Sequence, residues 1–253
     1  MEIHATINAK LTEIAERKNI RILLACETGS RGWGFPSPDS DYDVRFIYVH
    51  EPDWYISVGE RKDFIDVAIT DELDITGWEL RKSLQLLIKH NVALMERLQS
   101  PIIYTEHPGF REAFLQLAKN NFSPVSVIHH YLSMAKSYFE KCTESNQVKL
   151  KSLFYCIRTT IACDWIRTYQ TMPNMQLVQL MPVIESKPAL VKRIWELVEL
   201  KKGESEGYHH SHEPLIMEYL AETIAQCSEQ VKTLPGNKYP ASSLNDFLRF
   251  YIK

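Results

Sequence analysis

Residues 26–49 read Cys26-Glu-Thr-Gly-Ser-Arg-Gly-Trp-Gly-Phe-Pro-Ser-Pro-Asp-Ser-Asp-Tyr-Asp-Val-Arg-Phe-Ile-Tyr-Val49. The pattern predicts the end of a buried strand that begins at Arg21, a glycine-rich turn at Gly29-Ser30, a proline-containing connection and then a second apolar strand. Asp41 and Asp43 open this second strand, and side chains two residues apart in a strand point to the same face of the sheet.

These two aspartates indicate a site for a divalent metal ion. Like charges held close together are costly unless a cation neutralises them. The Gly29-Ser30 turn, just before a helix start, offers backbone N–H groups and a small hydroxyl that suit a triphosphate. Together these features suggest two-metal phosphoryl or nucleotidyl transfer. A metal-free hairpin is the alternative, because Asp-Ser-Asp is also ordinary turn chemistry.

Gly29-Ser30, a spacer and Asp41-Tyr42-Asp43 before the apolar run 44–49 resemble the signature of the DNA polymerase β-type nucleotidyltransferase superfamily. The longer wording, Gly-Ser-Arg-Gly-Trp-Gly and Ser-Asp-Tyr-Asp-Val-Arg-Phe-Ile-Tyr, resembles one branch, the RNA repair pathway DNA polymerase β family. The resemblance extends over most of the chain. It implies the element order of the nucleotidyltransferase fold: helix, strand, Gly-Ser turn, and a strand that carries the acids.

A third carboxylate is needed to complete a two-metal site, and the candidates are Asp66 and Asp74. Residues 63–70 and 72–76 both read as strands. We prefer Asp74 because Leu73-Asp74-Ile75 is the apolar–acid–apolar triplet of a central strand that leads into a helix predicted over 78–90. The phrase Leu-Asp-Ile-Thr-Gly-Trp-Glu-Leu-Arg-Lys also resembles the family at its third acid. Asp66 has apolar neighbours too and stays open.

The organisation predicted for the chain is α+β. A nucleotidyltransferase-fold domain at 1–108, a mixed sheet flanked by helices, precedes an all-helical domain at 109–253. The boundary is placed at the turn His107-Pro108-Gly109, since the pattern after it is helical almost throughout.

The amino-acid composition limits the kinds of protein that this chain can be. The chain has 253 residues, 45% apolar and 24% charged, which is typical of a soluble globular protein. A net charge of −3 argues against a surface coated with cations for gripping long nucleic acid. The five cysteines form no CxxC pair, and no segment reads as a signal peptide or membrane span. We therefore expect a cytoplasmic protein with no membrane partner.

The resemblance implies that Asp41, Asp43 and Asp74 are the catalytic residues and the ligands of two Mg²⁺ ions, for which Mn²⁺ could substitute. It also implies that Asp74 acts on the acceptor hydroxyl. The residues predicted to contact the nucleotide are Gly29, Ser30, Arg31 and Arg45. For Arg31 a solvated turn position is the alternative, and for Arg45 a surface salt bridge.

The predicted activity is Mg²⁺-dependent transfer of a nucleoside monophosphate from an NTP, with ATP as the first candidate, to a hydroxyl. The family name suggests RNA as the acceptor. One alternative is a catalytically idle nucleotide-binding or toxin–antitoxin-like partner protein of the same fold. Another is a metal-dependent hydrolase that uses the same carboxylates.

Overall fold

The computed structural model describes residues 2–59, 61–70, 72–144 and 147–253. Contacts along the chain divide it into two compact units. The first consists of Met1–Gly32, Asp41–Asn121 and Lys238–Lys253, and the second of Trp33–Ser40 and Phe122–Asn237. That residues 1–108 and 109–253 are separate domains stays a prediction.

Five strands of the first unit form one sheet. They are β1 (Ile20–Glu27), β2 (Tyr42–His50), β3 (Phe64–Thr70), β4 (Leu73–Glu79) and β5 (Ile103–Glu106). Their order across the sheet is β3-β4-β2-β1-β5. β2 and β4 are parallel, whereas the other neighbouring strands are antiparallel. The predicted mixed sheet is therefore confirmed.

The described part of the chain also contains twelve α-helices. They are α1 (Glu2–Lys18), α2 (Gly29–Trp33), α3 (Pro52–Tyr55), α4 (Leu80–Ile88), α5 (Val92–Gln99), α6 (Phe110–Asn120), α7 (Pro124–Thr143), α8 (Leu150–Tyr169), α9 (Leu177–Leu180), α10 (Pro188–Gly203), α11 (Pro214–Gln230) and α12 (Ala241–Tyr251). No helix among the described residues has both the length and the apolar character that a bilayer crossing requires.

One face of the sheet is covered by α1. Ile7, Leu11 and Ile14 recur at helical spacing on α1 and join a buried cluster with Phe46 and Ile75 of the sheet. Burial alternates strictly along β4, so that the residues between its buried positions lie on the opposite face. The opposite face is polar at the end of the sheet where Asp74 lies, whereas Ile47 and Val49 of β2 are buried further along that face.

The start of α4 differs from the sequence prediction. The predicted helix begins at Trp78, but β4 continues to Glu79 and α4 begins at Leu80. The carboxylate of Glu79 accepts hydrogen bonds from the backbone N–H of Arg81 at 2.7 Å and of Lys82 at 3.3 Å. An acidic N-cap satisfies N–H groups that have no partner inside the helix, so this side chain determines the boundary.

The second unit contains α7 to α11, which are most of the helical part that the sequence predicts after residue 108, whereas α6 and α12 belong to the first unit. The long helix α8 buries Phe154, Ile157 and Ile161 completely. A short antiparallel ribbon, β6 (Gln147–Lys149) with β7 (His209–Ser211), accompanies the helices.

Segment 33–40, which precedes Asp41 in the chain, belongs to this second unit. The phenyl ring of Phe35 stacks on that of Phe154 with centroids 5.0 Å apart. Lys201 is buried and donates from Nζ to Ser37 Oγ at 2.6 Å. Burial lowers the pKa of Lys201, and the nearby charge of Glu206 opposes the shift. The lysine at the end of α10 therefore anchors this segment.

Candidate active site

Asp43 and Asp74 lie side by side at the polar end of the sheet face opposite α1. They are direct partners in the parallel pairing of β2 with β4, and paired residues of neighbouring strands project to the same face. The two carboxylates converge on one atom, Arg45 Nη2, which is 2.8 Å from Asp43 Oδ1 and 2.7 Å from Asp74 Oδ2. The sheet register thus brings together two of the predicted acids.

Arg45 is the counter-ion of this pair. It follows Asp43 by two residues on β2 and so projects to the same face. Besides the two carboxylates, its Nη1 donates to the carbonyl of Val44 at 3.2 Å and to that of Asp74 at 3.1 Å. Its side chain is only 16% exposed, whereas those of Asp43 and Asp74 are 30% and 48% exposed, so solvent screens these ion pairs in part.

Asp41 occupies a different position from the other two acids. It precedes the first residue of β2 and is exposed. Its carbonyl accepts a hydrogen bond from Arg31 Nε at 3.2 Å. Across the described ranges, no group of three or more His, Cys, Asp or Glu residues is arranged to hold a metal ion. The three-carboxylate ligand set therefore stays a prediction, with Asp43 and Asp74 as the pair that the fold assembles.

Asp66 lies elsewhere on the same sheet. It pairs with Thr76, whereas the β3 partner of Asp74 is Ala68. Asp66 is therefore two residue pairs further along the sheet and is separated from β2 by β4. The structure places Asp74, and not Asp66, next to Asp43.

The turn that carries Gly29 and Ser30 wraps around Asp43. Thr28 donates to the Asp43 carbonyl from its backbone N–H at 2.9 Å and from its hydroxyl at 3.1 Å. Gly29 has a φ of +60°, and a Cβ built there would lie 2.0 Å from Asp43 Oδ2. Ser30, in the first turn of α2, is buried. The turn and the acid therefore form one local unit.

Arg31 follows this turn and stacks on an aromatic ring. Its guanidinium carbon lies 3.9 Å from the ring centroid of Tyr42, a cation–π geometry. Together with the bond from Nε to the Asp41 carbonyl, this contact connects α2 to the start of β2. Whether Arg31 binds phosphate stays a prediction.

Glu27 is a residue of this site that the sequence analysis did not assign. It is fully buried at the end of β1. The backbone N–H of Asp43 donates to its Oε1 at 2.6 Å, and the hydroxyl of Tyr104 donates to its Oε2. Burial raises the pKa of Glu27, while the hydrogen bonds from Tyr104 and Asp43 oppose the rise. The available signal was an acidic residue in an otherwise buried apolar strand.

Arg97 of α5 is a second residue of this site that the sequence analysis did not assign. Its guanidinium carbon lies 3.2 Å from the ring centroid of Trp78, and Cys26 Sγ donates to its carbonyl at 3.3 Å. Its Nη1 is buried and has no hydrogen-bond partner among the described residues. The pKa of Arg97 is lowered to about 9, chiefly by burial and to a smaller extent by the charge of Arg45, while Cys26 and Asp74 oppose the shift. No pattern in the sequence of residues 92–99 indicated that Arg97 would be buried near Arg45 and Asp74.

The paired acids fit a divalent cation. Two carboxylate oxygens that both lie within 2.8 Å of one nitrogen can also reach a common metal ion. Mg²⁺ prefers oxygen ligands and is usually held by one or two carboxylates, together with water and substrate phosphates. Asp43 and Asp74 supply that number of carboxylates, and Asp41 is the predicted third.

Comparison with known proteins gives matches over nearly the whole chain. The model of a family described as "RNA repair pathway DNA polymerase beta family" matches residues 3–250. A curated relative, uncharacterized protein YcgL of Bacillus subtilis (strain 168), is 37% identical over 234 residues, which cover 92% of this chain and 90% of the relative. A solved nucleotidyltransferase-like protein from Exiguobacterium sibiricum 255-15 shares 9% identity with a TM-score of 0.34, covering 90% of this chain and 75% of the other.

Proposed function

Because the chain belongs to the RNA repair pathway DNA polymerase β family, we propose that it is an Mg²⁺-dependent nucleotidyltransferase. It moves a nucleoside monophosphate from an NTP, with ATP as the first candidate, to a hydroxyl. The observation that carries the proposal is the convergence of Asp43 and Asp74 beside the Gly29-Ser30 turn. This arrangement sets a pair of acids next to a turn with a small hydroxyl, which suits the positioning and charge neutralisation that phosphoryl transfer depends on.

The acids and the turn have separate tasks in this proposal. Asp43 and Asp74, with Asp41, hold Mg²⁺, and Mn²⁺ can substitute. Bound there, the ions neutralise the triphosphate and lower the pKa of the acceptor hydroxyl. Asp74 is the carboxylate that acts on this hydroxyl.

The remaining residues bind and position. Gly29 and Ser30 contact the triphosphate through backbone N–H groups and the Ser30 hydroxyl, and Arg31 contributes a positive charge. Glu27 fixes the backbone of Asp43, because its Oε1 accepts a hydrogen bond from the N–H of Asp43 at 2.6 Å. Most of the catalytic effect in such a site comes from positioning and charge neutralisation.

RNA is the acceptor that we propose to test first, because the description of the family names an RNA repair pathway. The hydroxyl of an RNA end can attack an α-phosphorus in line, with pyrophosphate as the leaving group. Nothing in the chemistry of Asp43 and Asp74 restricts the acceptor to RNA. The experiment therefore includes a reaction without RNA.

The test is incorporation of label from each of four α-labelled NTPs into RNA in the presence of Mg²⁺. The wild type is compared with a double variant, Asp41→Asn with Asp43→Asn, which keeps the shape of both side chains but removes the charges. We expect label transfer by the wild type and a loss of about 100-fold or more in the variant. Equal incorporation by both proteins would reject the proposal.

Two further results would each indicate an alternative. NTP binding without transfer to any acceptor would indicate an idle nucleotide-binding protein. Release of phosphate or NMP that does not depend on an acceptor would indicate a hydrolase. Urea unfolding of both proteins provides the control that the variant is folded.

A further inference from the structure

The position between the two acids is held by an internal cation. Arg45 Nη2 lies within 2.8 Å of an oxygen of Asp43 and of Asp74 at once. A Mg²⁺ ion bound by carboxylate oxygens lies about 2.0 to 2.1 Å from them. Nη2 and a metal ion that uses these same two oxygens would therefore occupy overlapping space. They also carry charge of the same sign.

We propose that Arg45 is a built-in competitor of the divalent cation, which must leave the two carboxylates before the site can load a metal ion. This inference rests on the proposed function for the assignment of Asp43 and Asp74 to metal binding. In the free protein the guanidinium neutralises the pair and keeps its affinity for free metal low. The triphosphate offers the displaced guanidinium a new anionic partner, so metal loading is coupled to nucleotide binding.

The contacts of Arg45 explain why it competes strongly. Its two terminal nitrogens donate to two carboxylates and to the carbonyls of Val44 and Asp74. A planar guanidinium has the donors for all four acceptors, whereas the ammonium of lysine is a point charge with three donors. The side chain is mostly buried, so water screens its attraction to the acids only in part.

Arg97 adds to the positive field at this position. It lies close enough to both Arg45 and Asp74 for their charges to shift its pKa. An incoming cation therefore meets two arginines, of which Arg45 donates hydrogen bonds to both carboxylates. Substitution of Arg45 should consequently change metal affinity more than substitution of another arginine nearby.

Mn²⁺ binding tests the inference without turnover. The electron paramagnetic resonance signal of free Mn²⁺ reports its dissociation constant for the wild type, Arg45→Gln and Arg45→Lys. A charge-dependent contact of this kind changes affinity by about tenfold or more, so we expect the dissociation constant to fall by about that factor in Arg45→Gln. Arg45→Lys should give an intermediate value.

Arg17→Gln is the matched control. It removes the same charge from an exposed position on α1, where Arg17 pairs with Glu13, and leaves Arg45 between the two acids. We expect a change of less than about threefold. A double variant, Asp43→Asn with Arg45→Gln, should lose the gain seen in Arg45→Gln, since it removes one of the two carboxylates that Arg45 bridges.

A second measurement tests the coupling to nucleotide. A non-hydrolysable NTP should tighten Mn²⁺ binding by the wild type more than it does for Arg45→Gln, because the variant has no guanidinium to relocate. Mn²⁺ binding by Arg45→Gln that is equal to or weaker than that of the wild type would overturn the inference. So would equal gains in Arg45→Gln and Arg17→Gln.

The failure of this inference differs from the failure of the proposed function. Tighter Mn²⁺ binding in Arg45→Gln, with no label transfer by the wild type, would support the competition between Arg45 and the metal ion and reject the proposed nucleotidyltransferase activity. Label transfer by the wild type, with Mn²⁺ affinity unchanged in Arg45→Gln, would support the proposed activity and reject the competition between Arg45 and the metal ion.

Discussion

Gly29 lies so close to Asp43 that a Cβ on residue 29 would come within 2.0 Å of Asp43 Oδ2. The close approach and the positive φ together make glycine the residue that this position requires. Because the contact is with the side chain of a predicted metal ligand, the identity of residue 29 and the orientation of Asp43 are coupled. Four predictions concern this site.

Substitution Gly29→Ala should reduce both stability and metal binding. A non-glycine residue with positive φ costs about 1 to 2 kcal/mol, and the contact with Asp43 should add at least about 1 kcal/mol. Gly109→Ala is the matched control, since Gly109 has a φ of +75° and no atom near its Cβ position. Urea unfolding measures both variants. A loss in Gly29→Ala no larger than that in Gly109→Ala would show that the contact with Asp43 is unimportant.

The choice between Asp74 and Asp66 can be tested by paired substitutions. In Asp74→Asn we expect label transfer to fall by about 100-fold or more, because this carboxylate is the register partner of Asp43. In Asp66→Asn we expect a change of no more than about twofold, since that side chain is exposed on β3. An equal loss of transfer in the two variants would contradict this assignment.

Glu27 should make stability depend on pH. Its folded-state pKa is raised above the ordinary 4.5 by burial. Below pH 4.5 it is protonated in both states; as the pH rises towards the folded-state pKa, the unfolded chain loses its proton first, so the contribution of Glu27 to stability falls. The substitution Glu27→Gln removes this titration and keeps the shape of the side chain.

The measurement is the free energy of unfolding of the wild type minus that of Glu27→Gln, followed by urea denaturation from about pH 4 to about pH 8. We expect the difference to decrease with rising pH. A difference that increased over this range would mean that the carboxylate form is favoured by folding. Such a result would show that folding lowers the pKa of Glu27 and does not raise it.

Arg97 should be replaceable by methionine with little loss of stability. Apolar residues of similar volume often replace buried charges at no cost to folding, and a methionine can keep contact with the Trp78 ring. We expect the free energy of unfolding of Arg97→Met to lie within about 1 kcal/mol of the wild type.

Arg97→Lys is the charge-preserving comparison. It keeps a buried cation but loses the planar group that stacks on Trp78, and should cost about 1 to 2 kcal/mol. The urea midpoints of Arg97→Met and Arg97→Lys show which of the two variants is the more stable. If Arg97→Met proved the less stable of the two, the charge itself would be required for folding.

Much of the fold follows from local pattern. The helical spacing of Ile7, Leu11 and Ile14 identifies α1, and the apolar runs around Cys26 and Val44 identify two adjacent strands. Both signals are periodicities within about a dozen residues, which a single sequence contains in full. The end of β4 could not be predicted as well, because it depends on hydrogen bonds that the Glu79 side chain accepts from the first turn of α4.

For the site, local sequence patterns were enough to predict the turn at Gly29, the acids at Asp41 and Asp43, and the family. Long-range strand pairing was needed to place Asp74 beside Asp43. Strand pairing between β2 and β4 joins segments about 30 residues apart, and a choice of register is made by long-range packing. The same pairing placed Arg45 between the two carboxylates, because three side chains converge only when two distant strands adopt one register.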